Sequence, residues 1–471
     1  MKRLILILTF LFAGNLYGQS DTIVAQELYE KGNISLNSNP DSALIYYNKA
    51  LEHCANNSIL FGRVLNDIGH AYNLIGSYNL AIPYRHKALS IFQENNDSVL
   101  ISVAYNGLFQ TYFYKGQYDS AQIYLHEYEK QTKKVNKDEN AIEIGELYGN
   151  CAIFYRATVN NYDLAMEYAD KAYNIFLSHK NNIYIALAIK LLGDISIDKN
   201  EFNNAIEYLN KSLDYLKNAS QDFNFYRSMI YHSLANAYDG LEKFDSCLVY
   251  LDKAETMMNN INNPQIKSAL QDSYGKAFQA VDSLEKALIH YKRAVKIAKN
   301  ELGENHDYTA DFHTNLALFY LDELHDYQST KNHLDSALVI YLSRFNAKHV
   351  NIAKSYYNFS QLYFEFDSLE IAYINCQNSI KANQASNEID IYNTNNKSLS
   401  EFHYLNTLHL LSKIFIKQNR SISDIVKLYQ TIDARIKNYE SLVFNTSDKL
   451  ELAKFASEIY SDALHYLSEH P

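Results

Sequence analysis

Tryptophan is absent from this chain, and only 4 prolines and 14 glycines occur in its 471 residues. Sheets draw on turn residues every few positions and helices do not, so this scarcity excludes a strand-rich fold and leaves an all-α one. Cysteine is rare as well. Cys54, Cys151, Cys247 and Cys376 stand far apart, which excludes a CxxC zinc or redox motif. Positive charge is also in short supply, with a net charge of −11 and no Lys/Arg stripe. That leaves nucleic acid no electrostatic footing. No apolar run reaches the roughly 20 residues of a membrane span.

The content that is present, 47% hydrophobic and 21% charged, is that of a folded chain. Its start carries a targeting pattern. Met1-Lys2-Arg3 precedes an apolar run from Leu4 to Gly14, and small Gly18 stands before Gln19. A charged start, a short apolar core and a small residue predict a secretory signal peptide over 1–18. The mature chain is then exported to the periplasm or cell envelope, with no stable membrane span.

The main signal is periodic. Small residues opening the second helix of successive pairs fall at Ala43, Ala81, Ala121, Ala165, Ala205, Cys247, Ala287, Thr330 and Ala372, spaced 38 to 44 apart. Three residues before most of them stands a large apolar one, as at Tyr78, Tyr118, Tyr162, Phe202, Phe244, Leu284 and Leu369. Gly69, Gly193 and Ala235 mark close approach in the first helix, and an aromatic follows three later at Tyr72, Tyr112, Tyr238, Phe278, Tyr320 and Tyr363. Repeats of this period are units that bury their apolar faces only by stacking.

With these residues the chain resembles the tetratricopeptide repeat family, from about residue 22 to 385. The ~42-residue period exceeds the common 34. It is similar to the long repeats of kinesin light chains, whose inter-repeat turn "ELGENHDYTADFHTNLALFY" resembles. The resemblance implies a right-handed superhelical solenoid of about nine helix–turn–helix repeats over 19–385. A polar linker follows over 386–400, then a C-terminal helical cap over 401–471, with helices near 401–418, 422–444 and 447–469. "SDKLELAKFASEIYSDALHYLSEHP" resembles the connector that joins such arrays to a caspase-like CHAT domain in exported bacterial proteins, a domain that would lie beyond Pro471.

Chemistry is sparse. His306 and His313 flank a helix start without a third ligand at zinc spacing, so no metal site is expected and both read as solvent-exposed turn residues. Gly303 lacks the GK[ST] of a phosphate loop and reads as a left-handed helix C-cap. Cysteines two or more repeats apart lie about 20 Å from one another at ~10 Å per unit. A disulfide needs about 7 Å, so four free thiols are expected, with no catalytic residue and no cofactor.

The resemblance places the ligand groove on the first helices, three before and one after the small residue. Those positions are Asn66, His70, Asn106, Gln110, Lys190, Asp194, His232, Asn236, Asp272, Lys276, Tyr357 and Gln361. Being four apart, each pair shares a helix face. Lys190–Asp194 and Asp272–Lys276 are also placed to pair within their helices. The implied function is a non-catalytic scaffold or sensor binding a protein or peptide, the interaction arm of a CHAT-type protease-like system. The alternatives are the extracytoplasmic sensor of a membrane regulator with a kinase or DNA-binding output, or a free-standing envelope adaptor.

Overall fold

The computed structural model describes residues 21–36, 39–134, 140–158, 162–217, 223–259, 261, 263–345, 347–384, 390–394, 396–440 and 446–469. The proposed signal peptide, 1–18, lies outside the described residues. The helices run in consecutive pairs. The first is α1 (21–36) with α2 (Pro40–His53), followed by α3 (Ile59–Leu74) with α4 (Tyr78–Glu94) and α5 (Ser98–Tyr114) with α6 (Tyr118–Thr132). Next come α7 (Ala141–Thr158) with α8 (Tyr162–Ser178), α9 (Asn182–Asp198) with α10 (Phe202–Leu216), and α11 (Asn224–Gly240) with α12 (Phe244–Met257). Then follow α13 (Pro264–Ala280) with α14 (Leu284–Ile297), α15 (Asp307–Asp322) with α16 (Tyr327–Arg344), and α17 (Val350–Glu365) with α18 (Leu369–Asn383). The chain closes with α19 (Glu401–Lys417), α20 (Ile422–Glu440) and α21 (Thr446–Glu469). Among the described residues the one strand-like feature is an isolated bridge between Gln384 and Ser398.

Each pair is fixed by the residues that set the rhythm. All nine small residues opening the second helices, from Ala43 to Ala372, are fully buried or nearly so. Only a methyl, thiol or hydroxyl fits where the two backbones meet. At Gly193 even a β-carbon would stand 2.8 Å from Leu209 Cγ. The abundant tyrosine pairs between the two helices of a hairpin: Tyr112 stacks on Tyr124, Tyr155 on Tyr168 and Tyr238 on Tyr250, with centroids 5.1–5.5 Å apart, and Tyr72 meets Tyr84 at a tilt at 5.6 Å. Offset contacts of this kind are worth about 0.5–1.5 kcal/mol beyond the area they bury. Histidine takes the second place in two pairs, Phe278 on His290 and Tyr320 on His333.

The turns inside the pairs explain how the chain manages with so little glycine. An amide just past the turn reaches back five residues, as in Ser77 N to Tyr72 O (2.7 Å), Glu201 N to Ser196 O (2.8 Å) and Lys243 N to Tyr238 O (2.9 Å). This closure requires one left-handed residue. Gly76 and Gly116 supply it in two turns, while Asn200, Glu242, Asp282, Asp367 and Asn419 supply it elsewhere. Glutamate tolerates that conformation least. Glu242→Gly is expected to raise stability by about 1 kcal/mol through relief of the left-handed penalty. Urea melts of the two chains measure it, and a destabilised variant would contradict the assignment.

The helices cluster into two compact units. One comprises the chain up to Phe154 with Asp170–Ile185 and Ile261–Asn263, and the other comprises Tyr155–Ala169, Ala186–Asn260 and the chain from Pro264. In the second unit α18 to α21 share one core built on Tyr404, Leu408, Leu411, Ile414, Ile425, Leu428 and Ile459. Asn383 ties the start of that region to α18. Its Nδ2 donates to Ser400 O (2.8 Å), and its Oδ1 accepts from Ser400 N (2.9 Å). No helix among the described residues is long and apolar enough to cross a membrane.

The corner at 298–320 corrects two sequence expectations. Helix α14 runs into a π-helical turn, Ala298–Leu302, and stops at Gly303, whose φ of 110° and ψ of 155° place it outside the left-handed helical region. The stop is a positive-φ extended residue that glycine tolerates, not a left-handed cap. His306 is not solvent-exposed. It is 4% accessible and caps α15, its Nδ1 accepting from Tyr308 N (3.2 Å). His349 does the same for α17, accepting from Asn351 N (3.1 Å) while its ring stacks 3.8 Å from that of Phe345. Imidazole thus replaces the usual Ser, Thr, Asp or Asn at both caps.

Candidate binding face and C-terminal cleft

The first helix of each pair carries the residues expected to meet a ligand, and seven of the twelve are already engaged. In the first unit Asn66 is buried, donating to Asp67 Oδ1 (3.2 Å) and accepting from Arg85 Nη1 (3.1 Å). Asn106 accepts from Asn150 Nδ2 (2.8 Å) on α7. In the second unit the two intrahelical ion pairs expected from the spacing are formed, Lys190–Asp194 at 2.6 Å and Lys276–Asp272 at 2.8 Å. Their acids also reach the next repeat. Asp194 Oδ1 accepts from Ser233 Oγ (2.7 Å), and both Asp272 oxygens accept from Asn315 Nδ2 (2.9 and 3.0 Å). His232 Nε2 lies 2.8 Å from Ser273 Oγ.

A polar ladder therefore runs from first helix to first helix within each unit. The partners missed in the sequence occupy one position, two residues before the small one: Ser233 before Ala235, Ser273 before Gly275 and Asn315 before Ala317. Asp67, two before Gly69, likewise accepts from Tyr29 Oη (2.6 Å) on α1. The recurrence of short polar side chains at that position was the available signal. Each such bond contributes about 1 kcal/mol, and more where one partner is charged. Burial and Lys190 together hold the His232 imidazole down to about 4, while Lys190 and Arg156 overcome burial and keep the Asp194 carboxyl below its ordinary value.

His70, Gln110, Asn236, Tyr357 and Gln361 make no hydrogen bond among the described residues. Asn236 is exposed and the other four are partly buried. This is the subset of the expected face whose hydrogen-bonding capacity is open to a ligand.

The first unit contains an unusual intrusion into this face. Arg85 belongs to a second helix, α4, yet its guanidinium reaches Asn66 on α3. Gly69 and Gly107 make room for it: a β-carbon on Gly69 would lie 2.6 Å from Arg85 Cγ, and one on Gly107 would lie 2.7 Å from Cζ. Arg85 is 2% exposed and its Nε has no hydrogen-bond partner among the described residues. Burial pulls its pKa down to about 10, and Asp67, whose own carboxyl burial raises, is its compensating charge.

In the second unit Tyr357 and Gln361 open onto a cleft of about 490 Å³ formed by α15, α17, α19 and α21. Six of its thirteen lining residues come from the helices assigned in the sequence only to a cap. His409 Nε2 sits 2.9 Å from Asp462, and Lys413 Nζ lies 3.6 Å from Glu458 and 3.5 Å from Asp462. His409, Glu458 and Asp462 bring ligand-type atoms within 4.8 Å of one another. The Lys413 ammonium stands against both of these acids and supplies their counter-charge.

His313, expected to be exposed, is half-buried and meets His333 with their Nδ1 atoms 2.8 Å apart. It is joined by no third metal-ligating group within reach among the described residues. All four cysteines are free thiols. Burial pushes Cys151, Cys247 and Cys376 up to about 12, which suppresses the thiolate a nucleophile needs.

A family described as Tetratricopeptide repeat matches residues 191–215, the end of α9 and nearly all of α10. No curated protein matches the sequence. Among solved structures, a Rap protein complexed with Competence and Sporulation Factor is similar over 77% of this chain and 98% of its own, at 15% identity and a TM-score of 0.52. The apo form of RapI is similar over 76% of this chain and 97% of its own, at 16% identity and a TM-score of 0.45. A tetratricopeptide repeat protein from Parabacteroides merdae ATCC 43184 is similar over 63% and 98%, at 16% identity and a TM-score of 0.41. The fold is an all-α, tetratricopeptide-type array of helical hairpins.

Proposed function

We propose that this chain is a non-catalytic scaffold that binds a protein or peptide along its first helices. One observation carries the reading: Gln110, Asn236, Tyr357, Gln361 and His70 recur at the expected ligand-facing positions and make no hydrogen bond among the described residues. Amides that both donate and accept match an extended peptide backbone without demanding one sequence. The Rap protein of similar fold was solved complexed with Competence and Sporulation Factor, which supports ligand capture by an array of this kind. Export through residues 1–18 and service as the interaction arm of a CHAT-type system belong to the same proposal. They rest on the signal-like start and on the connector-like sequence of α21.

The ladder changes which residues test this reading. Lys190 and Lys276 are bound into ion pairs, so reversing their charge disturbs the fold as well as the face. Gln110→Ala, Asn236→Ala and Gln361→Ala leave every described hydrogen bond intact. Combined, they are expected to weaken capture of envelope proteins by a photo-crosslinking form of the chain about tenfold or more, at an unchanged melting temperature. Undiminished capture by the triple variant would move the binding surface away from the first helices.

A further inference from the structure

The C-terminal cleft has a charge balance and a lining that a general peptide groove does not require. Lys413 matches Glu458 and Asp462. Asp322 at the end of α15 and Glu365 at the end of α17 also line the cleft, and neither has an ion pair or a hydrogen bond among the described residues. Burial and the neighbouring Glu323 and Glu365 push the Asp322 carboxyl above its ordinary value, with His325 opposing them. Asp322 and Glu365 thus face one cleft with no lysine or arginine paired to either among the described residues, and His325 is the basic side chain beside Asp322. The walls are aromatic, with Tyr357, Phe364 and Phe455 all lining the space. Lys417 Nζ already rests 4.3 Å from the Phe364 ring centroid, so this wall attracts positive charge. The amides of Gln361 and Asn406 also line it, and neither has a hydrogen-bond partner among the described residues.

We infer that this cleft receives an arginine side chain of a bound peptide. In that complex the guanidinium lies against the aromatic wall and is bound by Asp322 and Glu365, while Gln361 and Asn406 hold the flanking backbone. The inference rests on the peptide-binding reading above and names the side chain that reading leaves open. At about 490 Å³ the space admits one long side chain with its neighbouring peptide units. Arginine fits better than lysine because a planar, weakly hydrated guanidinium both stacks on rings and bonds carboxylates two at a time. An acidic ligand would meet uncompensated like charge. A divalent metal at His409, Glu458 and Asp462 would have to displace Lys413.

Fluorescence anisotropy on the full chain tests the assignment, using a labelled alanine heptapeptide with one central arginine and its citrulline and lysine counterparts. Citrulline keeps the shape and removes the charge. The expected order is arginine, then lysine, then citrulline, with arginine bound at least about tenfold more tightly than citrulline. Asp322→Asn with Glu365→Gln is expected to abolish that preference at an unchanged melting temperature, since neither side chain has an ion pair or a hydrogen bond among the described residues. Equal binding of arginine and citrulline peptides, no binding of the arginine peptide at millimolar concentration, or a preference that survives the double variant would each overturn the inference. A partner captured equally by wild type and by Asp322→Asn/Glu365→Gln would overturn the cleft assignment alone. The scaffold reading fails separately, through the first-helix triple variant.

Discussion

Gly107→Ala is expected to destabilise the first unit by about 3–5 kcal/mol, the range for disrupting a buried, hydrogen-bonded charge. The added methyl falls on the guanidinium of Arg85, which is buried on α4 and has to leave its place against Asn66 to make room. Displacing it removes the bond to Asn66 and takes the Arg85 charge away from partly buried Asp67, leaving Tyr29, Asn66 and the weaker influence of Arg63. A double-mutant cycle separates this cause from a general intolerance of bulk in α5. With Arg85→Met in the background, the methyl meets a flexible thioether, and Gly107→Ala is expected to cost less than half as much. Equal costs in the two backgrounds would show that the glycine serves the helix contact and not the arginine.

Nothing in the repeat pattern encodes that arrangement. The repeat rhythm was legible because close helix contacts demand small residues at fixed spacing, and all nine from Ala43 to Ala372 are buried as that demand requires. The helices after residue 400 were legible from apolar periodicity. The face was less so. A polar residue at a ligand-facing position reads the same whether it awaits a peptide or bonds the next repeat. Only the fold separates Asn106, which is taken by Asn150, from Gln110, which makes no hydrogen bond among the described residues. The cleft escaped notice because Asp322, Glu365, Lys413 and Glu458 come from four helices with no common motif. Arg85 escaped because nothing in its own helix signals that Gly69 and Gly107, elsewhere in the sequence, leave a channel for it.

Histidine shows the same limit and yields the other large effect, a loss of stability on mild acidification. Burial is the leading cause that lowers His70, His232, His313, His349 and His403, each to about 4. Nearby positive charge adds to it, from Arg85 at His70 and from Lys354 at His349 and His403. An unfolded histidine titrates near 6.5. Between pH 6.5 and 4 the unfolded chain therefore binds the protons these imidazoles refuse, and stability falls as pH falls through that window. Asp311 acts in the opposite sense. Burial raises it to about 6, so its protonation favours the fold as pH drops and cancels about one histidine. Five imidazoles less one carboxyl leave a net uptake of about four protons, roughly 5 kcal/mol per pH unit, a large share of a typical folding free energy. Urea melts at pH 7.0, 5.5 and 4.5 should show midpoints falling steeply with pH. His349→Asn provides the control, because asparagine can still accept from Asn351 N as a helix cap but carries no proton. Its melt at pH 7 should stay within about 1.5 kcal/mol of wild type, allowing for the lost stack on Phe345. Its pH dependence should be shallower by up to one proton, about 1.4 kcal/mol per unit. A chain equally stable at pH 7.0 and 4.5 would mean that these imidazoles are solvated and charged, and that the ladder through His232 is not closed in solution.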